Sequence, residues 1–458
     1  MSFARYPECK DSGVEWLGDV PTHWDVQRLK RICEVFPSNV DKKAHEGEES
    51  IRLCNYTDVY YNDKITSDMS FMEATASAAQ IQKFTLRAGD TIVTKDSETA
   101  DDIAISAHVP DDLPGVVCGY HLSMIRPNAG TDGLFVKRLF DSAYARACFE
   151  ISANGLTRVG LSQYSLDNIA LPFPPGDEQR VIAAFLDREA AKIDALVAEQ
   201  ENLIALLKEK RQGVISHAVT KGLDPAVPMK DSGIEWLGQV PAHWDVKRLK
   251  FVLDEIKAGP FGSSLTKDMY VSAGFRVYGQ EQVIPNDFSV GDYYIGEEKY
   301  KELGQYKIST GDILISCVGT FGKIAIVPPE IEPGIINPRL MRLRCSPAVK
   351  PEYLATVLRS AVVFEQFSLL SRGGTMDVIN IGTLSDIVLP VPNVGEQEAI
   401  FQFVEGETNK LDELNAEAQR AIELLQERRS ALISAAVTGK IDVRRPPTVP
   451  VSLETSCA

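Results

Sequence analysis

Between Asp177 and Val219 the chain has no proline and one glycine, and apolar residues return every seven positions. Leu186, Ile193, Leu207 and Val214 form the row, with Gln200 its polar interruption. A second row at Ile182, Leu196 and Leu203, broken by Glu189, completes a heptad seam sustained over about five repeats. Asp177 and Glu178 stand in the first turn and Lys208, Lys210 and Arg211 towards the end, as the helix dipole favours. The pattern predicts a long coiled-coil helix over 177–222. The same row returns near the C-terminus as Val404, Leu411, Ala418, Leu425 and Leu432, in a second helix over 395–441. There Glu396-Gln397 stands where Glu178-Gln179 stood, and Ala436-Val-Thr-Gly-Lys440 answers Ala218-Val-Thr-Lys-Gly222. At 1.5 Å per residue each helix would span roughly 60 Å.

The text between the helices reads differently, as short β-type runs among loops rich in Asp, Ser and Gly. Ile51–Leu53 and Thr91–Val93 are examples. Phe84 to Thr94 reads as strand, turn, strand, with Gly89-Asp90 at the turn; Ile308 to Ser316, turning at Gly311-Asp312, is its counterpart. Leu166 to Leu171 reads as a further strand before Pro172, Pro174 and Pro175. A duplicated opening frames these stretches. Residues 11–30, DSGVEWLGDVPTHWDVQRLK, and 231–250, DSGIEWLGQVPAHWDVKRLK, agree at sixteen of twenty positions. Their spacing suits a duplicated domain and is far too long for a solenoid repeat. Trp16 and Trp24, like Trp236 and Trp244, are expected to form a small apolar plug that starts each domain. His23 and His243 are read as structural.

The plan is α+β: a globular domain over 1–176, a helix over 177–222, a second domain over 223–394, a helix over 395–441, and a proline-rich, disordered tail over 442–458. The helices pair most simply as an antiparallel coiled coil, with two globular domains at its ends and a pseudo-two-fold internal duplication. A chain of 458 residues accommodates this readily. Its 44% hydrophobic and 24% charged residues are ordinary for a soluble protein, and no apolar run approaches a membrane span. No signal peptide is read at the start, and eight scattered cysteines without a CxxC pair fit a cytoplasmic, reduced chain without zinc. The net charge of −16 weighs against nucleic acid, although a global sum says nothing about local distribution.

In this order of parts the chain resembles the specificity subunit of type I restriction-modification enzymes. The resemblance covers about Asp11 to Asp442. It is carried by the repeated WLG-x-VP-x-HW-x-V-x-RLK opening and by the Leu-Pro-x-Pro…Glu-Gln lead into each helix. Gly259-Pro-Phe-Gly-Ser-Ser-Leu-Thr-Lys267, Gly319-Thr-Phe-Gly-Lys323, Ser371-Arg-Gly-Gly-Thr375, Thr94-Lys-Asp-Ser-Glu98 and Cys118-Gly-Tyr-His-Leu122 are similar to the family as well. The resemblance implies a subunit binding a bipartite asymmetric site in double-stranded DNA, one half per recognition domain. It also implies helices that measure the unread spacer and dock two methyltransferase subunits, with restriction/translocase subunits joining for cleavage. No cofactor is expected in this chain; S-adenosylmethionine, ATP and Mg belong to the implied partners.

Catalytic signatures are missing. The chain has no Asn/Asp-Pro-Pro-aromatic methyltransferase motif, Asn337-Pro338-Arg339 not being one. Gly319-Thr-Phe-Gly-Lys323 lacks phosphate-loop spacing and has Ile324 where Ser or Thr is required. Neither metal site nor catalysis is expected. Base readout needs Arg, Lys, Asn, Gln or hydroxyl side chains at base edges, and phosphates take Lys, Arg and backbone N–H groups. The DNA-binding candidates are Lys95, Ser97, Glu98, Tyr120, His121 and Arg158 in the first domain. In the second they are Ser263, Ser264, Lys267, Thr320, Lys323, Arg372 and Thr375, with Gly262 and Gly374 permitting close backbone approach. The alternative reading is an adaptor that spaces protein partners without touching nucleic acid.

Overall fold

A computed structural model describes residues 3–317, 323–370 and 380–445. The chain divides into two compact units, residues 1–200 with 420–458, and residues 201–419, so that each unit holds one β-rich domain and part of each long helix.

In the first unit a four-stranded antiparallel sheet has the order Cys33–Pro37, Leu122–Pro127, Thr91–Thr94, Ser106–His108. A smaller sheet sets Val116–Cys118 parallel to Glu49–Cys54, which pairs antiparallel with Met72–Ala76. The larger sheet is buried on both faces. Ile92 and Met124 pack with Ile51, Leu53 and Val116 of the smaller sheet, while Val93 and Ile125 pack against helices. This two-sided burial explains why Thr91–Thr94 reads as a continuous buried run rather than an alternating one. The second unit repeats the plan. Its order is Leu253–Ala258, Leu340–Cys345, Ile313–Ser316, Ile324–Ile326, and Phe275–Tyr278 runs parallel to Gly334–Ile336.

The long helices run Gly176–Lys221 and Val394–Val437. Within each unit they are antiparallel. Asp194 pairs with Arg429 at 2.9 Å in the first, and Arg211 with Asp412 at 3.2 Å in the second. These are one ion pair at duplicated positions, since Asp412 follows Asp194, and Arg429 follows Arg211, by the interval that separates Leu186 from Val404. Leu186, Ile193, Leu207, Val404, Leu411 and Ala418 of the expected seam are buried; Gln200, Val214, Leu425 and Leu432 are half-buried. The second row is a correction. Ile182 is buried, but Leu196 and Leu203 are 45% and 41% exposed. The row that faces inward is Ala190, Val197, Ile204, Arg211 and Ala218, buried or half-buried throughout. Positions three and four places on from the first row flank it on opposite sides, and the partner helix covers the second of these sides.

Each helix is fastened where it begins by its Glu-Gln pair. Gln179, fully buried, accepts the Asp132 N–H through Oε1 and donates Nε2–H to the Pro174 carbonyl, both at 2.8 Å. Gln397 does the same with Lys350 and Pro392, again at 2.8 Å. Glu178 lies 2.7 Å from His23 Nε2 and accepts the Tyr6 hydroxyl, and Glu396 lies 2.9 Å from His243 Nε2. The repeated twenty-residue stretch is therefore the seat of a helix, and its histidines are structural. It receives helix ends too. Gly222 (φ +77°) lies against Trp244 and Gly439 (φ +74°) against Trp24 and Pro21, with Lys440 Nζ donating to the carbonyls of Leu17 and Asp19. Only Trp24 and Trp244 serve as core anchors; Trp16 is 58% exposed and Trp236 half-buried, contrary to the paired plug expected.

Two local expectations also fail. Phe84 ends a helix, Ala78–Phe84, whose Ser77 cap accepts the Gln80 N–H, so a helix and not a strand precedes the Gly89-Asp90 turn. Gln163–Asn168 is likewise helical, and the strand is Ala170–Phe173, paired with Asp25–Arg28. Short caps and partners on distant strands decided both cases.

Two buried features generate tests. Gly439→Ala would force a Cβ into Pro21 at positive φ and is expected to destabilise by roughly 1–3 kcal/mol. Gly406→Ala, mid-helix with open space around it, should stabilise by roughly 0.5–1 kcal/mol; thermal unfolding measures both. The second feature is His108, buried beside a charge cluster in which Lys137 and Arg138 pair with Asp63 and Asp141. Burial pulls the His108 pKa down to about 4. The unfolded chain titrates near 6.5, so this contribution is complete above that pH and is lost as pH falls towards 4, by up to roughly 3 kcal/mol. Burial alone would raise the Asp63 carboxyl, but Lys137 and Arg138 outweigh it and hold it below the usual range, which adds acid sensitivity of the same sign. The first domain should therefore open before the second between pH 6.5 and 4, as read by hydrogen exchange, and His108→Gln should reduce the difference. Ile326 stands at the corresponding position in the second domain.

Candidate nucleic-acid interface

In each unit the first residue after the central strand, Lys95 or Cys317, is hydrogen-bonded to the turn that follows the parallel strand pair. In the first, Lys95 N–H donates to the His121 carbonyl at 3.0 Å, which joins the 94–98 and 118–122 segments, and Gly119 N–H donates to the Cys54 carbonyl at 2.9 Å. Lys95 Nζ donates to the Ser38 carbonyl at 2.8 Å and lies 4.4 Å from the centre of the Tyr120 ring. Its pKa is lowered, through burial first, and Asp96 opposes the shift. Asp96 binds His121 Nδ1 and Arg158 through its two oxygens, each at 2.8 Å. Lys95, Tyr120, His121 and Arg158, chosen separately from sequence, thus meet in one patch. Glu98 is exposed near them. Ser97 is buried, paired as a strand with Val159 and bonded to the Tyr56 hydroxyl. Sequence reading missed Asp96, the residue that organises the patch, and the adjoining Tyr56–Tyr60–Tyr61 ladder with ring centres 5.5 and 4.9 Å apart.

In the second unit the equivalent place is a concavity of about 600 Å³ lined by Lys267, Tyr270, Gln280, Tyr293, Asn337 and Arg339, among others. Of the sequence candidates among the described residues, only Lys267 lies here. Ser263 and Ser264 sit on the neighbouring 3-10 turn with Gly262, whose φ of +61° needs glycine. Lys323 lies elsewhere, lining a second cavity with Arg211 and Arg359. Thr320, Arg372, Gly374 and Thr375 fall outside the described residues. Arg339 and Gln280 were missed. The available signal was arithmetic: Arg339 follows His121 by the same interval that relates the two helices.

Two other arginines near these sheets are already spoken for. Arg126 forks onto buried Asp90 at 2.8 and 2.6 Å, and Arg344 onto buried Asp312 at 2.9 and 2.8 Å. Each closes the Gly-Asp turn of its own domain, so each is structural.

A twice-built scaffold, with unlike polar surfaces at matching places, defines a bipartite recognition protein. The type I restriction modification DNA specificity domain matches residues 21–205 and again 243–424. The chain belongs to that family, and it is a type I restriction-modification specificity subunit, the DNA-recognising component of such systems. The EcoKI specificity subunit of Escherichia coli strain K12 is 23% identical over 445 residues, covering 93% of this chain and 90% of the relative. Among solved structures, a chain from work on complex assembly and conformational transition of the type I R-M system superimposes with a TM-score of 0.71 at 18% identity. That match covers 91% of this chain and 98% of the other. The HsdS subunit from Thermoanaerobacter tengcongensis follows with 0.52 at 17%, covering 92% and 98%. At such identities the structural likeness speaks for the fold. No helix among the described residues is long and apolar enough to cross a membrane.

Proposed function

We propose that each recognition domain reads one half of a bipartite, asymmetric DNA site, that the long helices set the unread spacer, and that the chain itself performs no catalysis. The observation that carries this is the pairing of an identical frame with unlike surfaces. Asp194–Arg429 and Arg211–Asp412, Glu178–His23 and Glu396–His243 repeat across the duplication, whereas Tyr120-His121 is replaced by Pro338-Arg339. Division at about 176, 222, 394 and 441 into domain, helix, domain, helix fits this reading.

Two methyltransferase subunits are the expected partners on the helices, with restriction/translocase subunits joining them. Leu196 and Leu414, 45% and 48% exposed, occupy duplicated positions, as do Leu206 and Leu424 at 53% and 65%. Apolar side chains left on the surface at matching places in each copy suit two copies of one protein. S-adenosylmethionine, ATP and Mg would act in those partners. The partners also answer the objection from charge, because an acidic chain that binds DNA within a complex need not neutralise the phosphates alone.

Co-purification with a methyltransferase partner followed by methylome sequencing tests the reading; the absence of any bipartite motif dependent on this chain would overturn it. Exchanging residues 1–175 for those of a relative should rewrite one half of the motif and leave the other intact. In the assembled complex, Lys95→Ala and Arg158→Ala should each weaken DNA binding several-fold and lower the log–log salt slope by about one, measured by titration at several salt concentrations.

A further inference from the structure

The turns Gly119–Leu122 and Asn337–Leu340 correspond hydrogen bond for hydrogen bond. Gly119 N–H donates to the Cys54 carbonyl at 2.9 Å and Asn337 N–H to that of Tyr278 at 2.8 Å. Leu122 N–H donates to the Gly119 carbonyl at 3.0 Å and Leu340 N–H to that of Asn337 at 3.2 Å. The residue just after the central strand reaches the third residue of the turn in both cases, from Lys95 N–H to the His121 carbonyl at 3.0 Å and from Cys317 N–H to the Arg339 carbonyl at 2.9 Å. His121 and Arg339 therefore occupy one structural position on a backbone held from two sides. Their side chains have different surroundings. His121 is exposed with Nδ1 on Asp96. Arg339 is exposed, and its guanidinium has no hydrogen bond or ion pair among the described residues. Asn337 does not compete with it for a ligand through Oδ1, because that oxygen accepts the Arg339 N–H at 2.9 Å and stiffens the turn.

We propose that this position is a base-reading position of both domains, and that Arg339 reads a guanine in the half-site of the second domain through its paired donors to O6 and N7. The inference rests on the DNA reading above and names the residue that gives it specificity. Three features favour a base over a phosphate. The arginine is offered from a rigid turn, as base readout demands, whereas phosphate contacts tolerate mobile side chains. It also borders a concavity of about 600 Å³, together with Lys267, Gln280, Asn337 and the Tyr270–Tyr293 pair, whose ring centres lie 5.1 Å apart. Glu281 lines the same concavity, but one of its oxygens accepts a hydrogen bond from Gln282 at 3.0 Å and is engaged there. Finally, the same slot in the first domain holds His121. With Nδ1 engaged by Asp96, His121 has only Nε2 to turn outward, a single contact that cannot make the paired donation of an arginine to guanine. One position with unlike hydrogen-bonding capacity is what two unlike half-sites require.

The test uses the complex assembled with its methyltransferase partner, with the motif first read from the methylome of the wild type. A wild type without a bipartite motif would refute the DNA reading itself, separately from this inference. Given a motif, 7-deazaguanine is placed at each guanine of the second half-site in turn, and binding is measured by competition. The wild type should lose roughly 10- to 100-fold at one guanine, and Arg339→Ala should be indifferent to that replacement while still preferring the unaltered first half-site. Its methylated motif should relax at that one position. An unchanged penalty and an unchanged motif in Arg339→Ala would overturn the proposal. So would a uniform loss of affinity for all duplexes with a salt slope lower by about one, the mark of a phosphate contact. Retained preference for the first half-site and an unchanged melting temperature show that the variant is folded, and Arg339→Gln serves as a second variant if Arg339→Ala is not.

Discussion

Each long helix begins at a buried glutamine, Gln179 or Gln397, whose amide satisfies a loop N–H and a proline carbonyl at once. A buried amide of this kind costs little while every bond is made and a great deal when one is lost. The neighbouring glutamate then captures the histidine of the twenty-residue seat. Helix direction is thus tied to the recognition domain by polar contacts with fixed geometry, and not merely by apolar packing, which would tolerate sliding. The proposed role of the helices in setting the spacer requires that rigidity.

The two units share this frame and differ where a domain meets its helices. In the first, Lys137 and Arg138, only 2% and 1% exposed, are neutralised by Asp63 and Asp141, and Arg138 also reaches Asp187 on the long helix at 3.1 Å. Removal of any member would strand a buried charge. At the corresponding positions the second unit has Ala355, Thr356, Arg359 and Glu405. Arg359 there donates to the Ile324 carbonyl, and its pKa is lowered by burial and then by Arg211. The charge network of one copy is replaced in the other by Arg359 bonded to a backbone carbonyl and Arg211 paired with Asp412. The two domains have thus diverged in their support as well as in their surfaces.

The long helices were legible because a seven-residue period survives any tertiary context, and the duplication because identical residues need no interpretation. Short elements were less so. Ala78–Phe84 became a helix through a cap and a distant partner sheet, information that no local window contains. The second row of the seam went to Ala190, Val197, Ile204, Arg211 and Ala218 in preference to Leu196 and Leu203. Both rows keep the period and flank the first, so only the position of the partner helix chooses between them. In the first domain, four of the six chosen site residues came together in one patch. In the second, Lys267 alone of the described candidates lines the equivalent concavity, and Arg339 has no local signal beyond its offset from His121.

By itself, then, the sequence determined the domain order, the two helices, the shared seat and the family, all of which depend on period and identity along the chain. Tertiary structure alone decided which polar side chains gather, and which stand apart, at the ends of the parallel strands. Lys95, Asp96, His121 and Arg158 are brought together by backbone hydrogen bonds between segments distant in the chain, and the same bonds in the second domain present Arg339. Whether an arginine closes a turn, as Arg126 and Arg344 do, or faces outward as Arg339 does, depends on a carboxylate supplied from elsewhere in the fold. Contact at that distance has no period to betray it.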